Sequence, residues 1–224
     1  MARIIRKNQI EETLTYHIFN RGNAKLEVFH DDYDYQYFLK VVKKYKNLYN
    51  FEIFHWVLMF NHFHCVLTIE VPKLLSKCIG GILQSYTQYH HKRWDSAGKL
   101  WQGRFKSQAI QKETYLHRCG RYIERNPLRA GIVQYPWEYK WSSCSLYAGE
   151  GKQDDGITTL DPMYEALGET ASEKRDKYKE WLMEGEDSVF ESMNIPVGDK
   201  DFRKKLLLER GRLIVSKRGR PIGH

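Results

Sequence analysis

The amino-acid sequence predicts an α+β protein: a ferredoxin-like antiparallel sheet with helices, followed by a C-terminal helical extension and a basic tail. Three observations carry this. Segments of alternating, β-rich character interleave with segments of helical periodicity in the order β-α-β-β-α-β-α. The chain has 224 residues, 42% hydrophobic and 14% aromatic, enough for a sizeable core and too apolar for a disordered chain. Beyond residue 147 the pattern changes to a polar stretch, two helical patterns and a run of basic residues.

Taken in order, residues 13–20 (TLTYHIFN) alternate as a strand does and meet a turn at Arg21-Gly22-Asn23. Asp31-Asp32 opens a helix with Phe38, Val41, Val42, Tyr45, Leu48 and Tyr49 on one side. Residues 51–60 and 62–70 read as two strands meeting near Phe60-Asn61. Pro72 marks a helix start, and Leu75, Ile79, Ile82, Tyr86 and Tyr89 continue its apolar stripe to about residue 91, with Gly80-Gly81 as a weak point. A loop from Asp95 to Lys99 leads to a strand at 101–111. A helix over about 113–125 then ends before Pro127, whose ring disfavours helical geometry at Asn126. Four units follow from this: a catalytic-type body at 1–147, a linker at 148–160, a small helical region at 161–210 and a basic tail at 211–224.

The net charge of +8 divides unevenly. Residues 1–149 carry 22 basic and 12 acidic residues, 150–201 carry 6 and 15, and 202–224 carry 8 and 1. A basic body and tail suit phosphate neutralisation, with salt-sensitive binding; the bland alternative is a solvated surface. No apolar stretch approaches a membrane span and the N-terminus has no signal-peptide core, so the expectation is a cytoplasmic, nucleoid-associated protein without membrane contact. Cys65, Cys78, Cys119 and Cys144 form no CxxC pair and read as free, mostly buried thiols.

In a strand, alternate side chains share a face, so His62 and His64 project together, roughly 6.5–7 Å apart at Cα. Phe63, Cys65, Leu67 and Ile69 take the opposite, core-facing side. Two imidazoles at that spacing can converge on one metal if a further ligand arrives; otherwise they are two half-exposed strand histidines. On the 114–126 helix, Leu116, Cys119, Gly120 and Ile123 form a packing stripe, Arg118, Arg121 and Arg125 gather opposite, and Tyr115, Tyr122 and Asn126 lie together. That geometry suits Tyr122 as a nucleophile with Asn126 offering its amide oxygen to the metal, the arginines holding flanking phosphates. Tyr115 competes for the role, or stacks on a base.

Together these residues resemble the single-tyrosine HUH transposases, and within them the REP-associated tyrosine transposases. The matching stretches are Tyr16-His17-Ile18-Phe19-Asn20-Arg21-Gly22-Asn23, Leu58-Met59-Phe60-Asn61-His62-Phe63-His64, and Leu100-Trp101-Gln102-Gly103-Arg104-Phe105-Lys106-Ser107. Arg121-Tyr122-Ile123-Glu124-Arg125-Asn126-Pro127-Leu128-Arg129-Ala130-Gly131 and Trp141-Ser142-Ser143 complete the pattern, in the family's order, over about residues 12–147. The resemblance implies the HUH nuclease fold, His62 and His64 as metal ligands and Tyr122 as the catalytic tyrosine. Asn126 stands where related insertion-sequence transposases place a glutamine; it is one methylene shorter and precedes a proline. The implied reaction is attack on a single-stranded phosphodiester near a palindromic hairpin, leaving a 5′-phosphotyrosine and a free 3′-OH. Arg21, Arg104, Lys106, Tyr115, Arg118, Arg121, Arg125 and Arg129 are the expected DNA contacts.

Two imidazoles and an amide oxygen with open positions suit Mg²⁺ or Mn²⁺. In the tail, Lys217, Arg218 and Arg220 around Gly219 resemble an AT-hook for A·T-rich duplex DNA, the alternative being a basic terminus that binds phosphates without preference. The protein is expected as a monomer or homodimer. Two other readings stay open: a non-catalytic single-stranded DNA- or RNA-binding module, and a metal-dependent phosphodiesterase using water.

Overall fold

The computed structural model describes residues 14–149, 156–184 and 197–210. Four strands, β1 (Leu14–Arg21), β2 (Phe51–Met59), β3 (His62–Ile69) and β4 (Lys106–Ile110), form one sheet in the order β2-β3-β1-β4. Every neighbouring pair is antiparallel. This is the ferredoxin-like α+β architecture that the element order predicts.

Helices α1 (Asp32–Tyr49) and α2 (Leu75–Arg93) cover one face of the sheet. Asp31 caps α1, its carboxylate accepting from the amides of Tyr33 and Asp34. Asn50, in the left-handed region at φ 46°, ends that helix one residue before β2. The expected weak point in α2 does not break it. A Cβ on Gly81 would lie 2.3 Å from the Tyr45 ring, so the glycine lets α2 pack closely against α1. Phe38, Phe63, Leu67, Ile79, Ile82 and Tyr86 belong to the core between these helices and the sheet.

Helix α3 (Lys112–Glu124) lies on the other face, over a second core that includes Val57, Val66, Leu116, Cys119 and Ile123. The face of β3 bearing His62 and His64 is therefore covered by a helix, and His64 is only 6% exposed. A short helix α4 (Asn126–Arg129) continues the chain. The strand expected at 101–111 is shorter. Trp101 bridges Gly22 and the Gln102 amide donates to the Arg21 carbonyl, so residues 101–105 follow the end of β1 before laddering starts at Lys106.

The chain beyond β4 wraps the sheet. The Leu58 amide donates to the Trp141 carbonyl, and the Thr159 amide donates to the Ile53 carbonyl, so residues 141–143 and 158–159 cover the outer edge of β2. A third core joins Cys144 and Tyr147 of α5 (Cys144–Tyr147) and Ala148 to Tyr164 of α6 (Pro162–Glu165) and to Tyr178 and Leu182 of α7 (Ala171–Met183). Val197, before α8 (Lys200–Arg210), pairs with the β4 edge. The four cysteines are buried thiols, none in a disulfide. Among the described residues, no helix is long and apolar enough to cross a membrane.

Candidate active site

The site is built where β1, β3 and α3 meet. His64 stands opposite Phe19 on β1, and His62 opposite Arg21. Alternation places His17 on the same face of β1 as Phe19. Its Nε2 lies 2.9 Å from His64 Nδ1, with the rings stacked at 5.1 Å between centroids. His17 Nδ1 faces Gln108 Oε1 on β4 at 3.4 Å. Burial pushes His17 down to about 4, against the raising effect of Gln108. Burial and the Arg21 charge push His62 to about 4 as well. His64 falls well below the usual imidazole range through burial, with the charges of His17, His62 and Arg129 adding to it. At neutral pH all three rings are uncharged.

Neutrality fixes the tautomers. A neutral imidazole has one N–H. Facing the Gln108 carbonyl oxygen, His17 donates through Nδ1, so its Nε2 accepts the Nδ1–H of His64. His64 Nε2 is left with its lone pair. His62 Nδ1 lies 2.6 Å from Asn61 Oδ1, which leaves the lone pair on His62 Nε2 in the same way. The two rings stand at 89° with centroids 5.3 Å apart. Neutral rings presenting Nε2 while Nδ1 is held by a second partner are the form that binds metal. Among the described residues, no group of three or more His, Cys, Asp and Glu is arranged to hold a metal ion.

Asn126, the expected third ligand, offers an amide oxygen. Pro127 has no amide hydrogen to give back to the last turn of α3. The Asn126 side chain supplies the missing donor, with Nδ2 3.0 Å from the carbonyls of both Tyr122 and Ile123. Its nitrogen is thereby committed to capping the helix, which leaves Oδ1 as the atom that would bind a metal. Two imidazole nitrogens and an amide oxygen fit a divalent cation of the Mg²⁺ or Mn²⁺ type.

Tyr122 is 6% exposed and its ring meets His17 and His64 edge-on, with centroids 6.0 and 6.1 Å away. The Arg129 guanidinium lies 4.1 Å from the centre of the Tyr122 ring and donates to its carbonyl. Tyr115, one heptad earlier, is half-buried beside the core under α3, with Arg118 stacked 5.4 Å away. The structure therefore brings His62, His64, Tyr122 and Arg129 together, with Asn126 at the start of α4, just past the end of the tyrosine helix.

The other expected DNA contacts separate into two groups. Arg21, Arg104 and Lys106 are exposed; Arg21, opposite His62, forks onto Gln102 Oε1, Lys106 lies 5.6 Å from the Phe19 ring that stacks on His64, and Arg104 lies on the α2 side, near Ser76 and Thr87. Arg121 is buried, 4.9 Å from the Trp181 ring and donating to the Trp181 carbonyl, while Arg125 donates to the Glu184 carbonyl. Both reach the C-terminal end of α7, where helix carbonyls attract cations. Lys217, Arg218 and Arg220 lie outside the described residues.

Sequence reasoning missed His17, Gln108 and Asn61. The alternation of β1 already placed His17 beside Phe19 on one face, but only pairing with β3 shows which face that is. It also missed a buried polar cluster behind α3. His55 lies 3.0 Å from Glu124 Oε1 through Nδ1 and 3.0 Å from Asp161 Oδ2 through Nε2. Burial pulls His55 down, but hydrogen bonds and charge from Asp161 and Glu124 together prevail and raise it to about 9.

Residues 11–126 match the family described as transposase, IS200-like. Among solved structures, the chain is similar to a REP-associated tyrosine transposase bound to a REP hairpin, with a TM-score of 0.55 and 22% identity over 72% of this chain and 90% of that one. No curated protein matches it.

Proposed function

The chain belongs to the IS200-like transposase family, and from that premise we propose that it cuts and rejoins single-stranded DNA beside a hairpin, with Tyr122 as the nucleophile. His62, His64 and Asn126 would hold Mg²⁺ or Mn²⁺, which when bound polarises the scissile phosphate and offsets the negative charge that grows there. The observation that carries this reading is the meeting of Tyr122 with His64 on a face where both metal-type histidines keep their Nε2 lone pairs.

In this reading the Tyr122 oxygen attacks phosphorus and its proton passes to water. The bond to the 3′ oxygen breaks, and that oxygen takes up a proton to become a free 3′-OH. The DNA is left as a 5′-phosphotyrosine, which another 3′-OH can attack to rejoin the strand. Arg129, stacked on the Tyr122 ring, stabilises negative charge as it develops on that ring. Arg21, Arg104 and Lys106 neutralise flanking phosphates. The protein acts in the cytoplasm at the nucleoid, with the tail around Lys217, Arg218 and Arg220 adding affinity for A·T-rich duplex. The solved relative's REP hairpin is the model for the substrate. A passive binding module would need an open aromatic sheet face, and α3 covers that face.

The test is a hairpin-bearing oligonucleotide incubated with Mn²⁺. A covalent adduct stable to denaturing electrophoresis is expected, lost in Tyr122→Phe and kept in Tyr115→Phe. Cleavage without an adduct would favour activated water, and an adduct that persists in Tyr122→Phe would remove Tyr122 from the role.

A further inference from the structure

The buried cluster behind α3 takes no part in the proposed chemistry, yet it ties the tyrosine helix to much of the molecule. His55 is fully buried, and both of its ring nitrogens face carboxylate oxygens. Glu124 Oε1 also accepts from the Ser143 hydroxyl at 2.7 Å, and Glu124 Oε2 from the Tyr178 hydroxyl at 2.8 Å. Asp161 Oδ1 accepts from the Met163 amide. The cluster thus joins β2, α3, the 141–143 stretch, the segment before α6, and α7.

Two local features aim these groups at each other. The β2–β3 register shifts between Ile53 and His55, so Phe54 and His55 both lie on the α3 side of the sheet. Without that bulge, alternation would turn His55 toward α1. On the helix, a Cβ at Gly120 would lie 2.4 Å from the His55 ring, so α3 sits as close to the strand as the imidazole allows.

We propose that His55 is a positioning residue for Tyr122: clamped between Glu124 and Asp161, it sets the roll of α3, and residues 156–183 supply Asp161 and Tyr178 to close the clamp. Glu124 follows Tyr122 by two residues, about 200° around the helix, so it anchors the side opposite the nucleophile. A roll of about 20° would carry a side-chain tip roughly 6 Å from the helix axis through about 2 Å. Misplacement by even about 1 Å is enough to slow a reaction on the order of 100-fold. The helical region after residue 156 therefore belongs to the catalytic unit. This inference rests on Tyr122 being the nucleophile.

The test uses the full chain with Asp161→Asn, which keeps the shape of the clamp and removes a charge, Tyr178→Phe, which removes one hydroxyl, and His55→Gln. Single-turnover adduct formation on the hairpin oligonucleotide is expected to slow about 10- to 100-fold in Asp161→Asn. Hairpin affinity should stay within about twofold, because the clamp lies behind the helix, away from the proposed DNA face. Amide hydrogen exchange over residues 115–126, measured without DNA, should accelerate while β3 stays protected. If His55→Gln fails to fold, the other two variants carry the test. A Tyr122-dependent adduct forming at the parental rate in Asp161→Asn and Tyr178→Phe would overturn the proposal, as would rate and affinity falling together. Absence of any Tyr122-dependent adduct in the parent would instead overturn the nucleophile and, with it, the catalytic meaning of the clamp; the exchange result would still report whether the clamp holds α3.

Discussion

Raising the pH from 6.5 to about 8.5 is expected to remove about 2 kcal/mol of folding stability through His55 alone. The group stands at about 9 in the folded protein against 6.5 for a free imidazole. At about 1.36 kcal/mol per unit, folding gains about 3 kcal/mol from its protonation when the pH is below 6.5. Because the folded value is the higher one, this contribution is complete at low pH and drains away as the pH climbs toward 9. His17, His62, His64, His90 and His117 are shifted the other way; because a free imidazole is still half protonated at pH 6.5, each returns up to about 0.4 kcal/mol as the pH rises to about 7.5 and is constant above that. Burial raises the thiols of Cys65 and Cys78, which in this range therefore ionise only in the unfolded chain, where a free thiol is half ionised near about pH 8.5. These contributions are common to the parent and to His55→Gln, so the difference between the two isolates His55. Urea unfolding followed by tryptophan fluorescence at three pH values across the window should show the parent losing about 2 kcal/mol relative to His55→Gln. Should that variant not fold, Asp161→Asn is expected to show part of the same relative change. Parent and variant stabilities that run parallel from pH 6.5 to about 8.5 would refute the charged clamp.

Three other outcomes follow from the same contacts. Gly120→Ala drives a methyl group into a ring that two carboxylates hold in place, and should cost about 1–3 kcal/mol in urea unfolding. An unchanged midpoint would mean that α3 can back away from β2. His17→Phe removes the acceptor for His64 Nδ1–H, and calorimetric titration should show Mn²⁺ binding weakened ~10- to 100-fold; undiminished binding would dismiss the tautomer argument. Arg104→Ala should weaken hairpin binding and reduce its salt dependence by about one phosphate contact, whereas Arg121→Ala should lower the unfolding midpoint and leave the salt slope alone. The reverse pattern would return Arg121 to the DNA.

Legibility followed the range of the interaction. The strand alternation of residues 62–69 separated the histidine face from the Phe63 face, and the structure keeps that division. The helical spacing of Tyr122 and Asn126 likewise survives, because both lie within little more than one turn of backbone. Local readings failed where a distant segment intervened. Gly80-Gly81 looked like a weakness, but Tyr45 of another helix occupies the space a side chain at Gly81 would need. The three arginines of α3 looked like a free cationic row, whereas the end of α7, about sixty residues later, engages two of them.

The amino-acid sequence by itself determined the element order, the paired histidines, the tyrosine helix and the family pattern, since each is written in residues close together in the chain. Only the tertiary structure decided what those residues meet. His17 and His64 are 47 residues apart, His55 and Asp161 are 106 apart, and a one-residue bulge in β2 turns His55 toward the helix rather than away from it. Periodicity fixes which side of an element a residue faces. The partner waiting on that side comes from packing over long separations, where one shifted residue reverses the face and no local pattern records the choice.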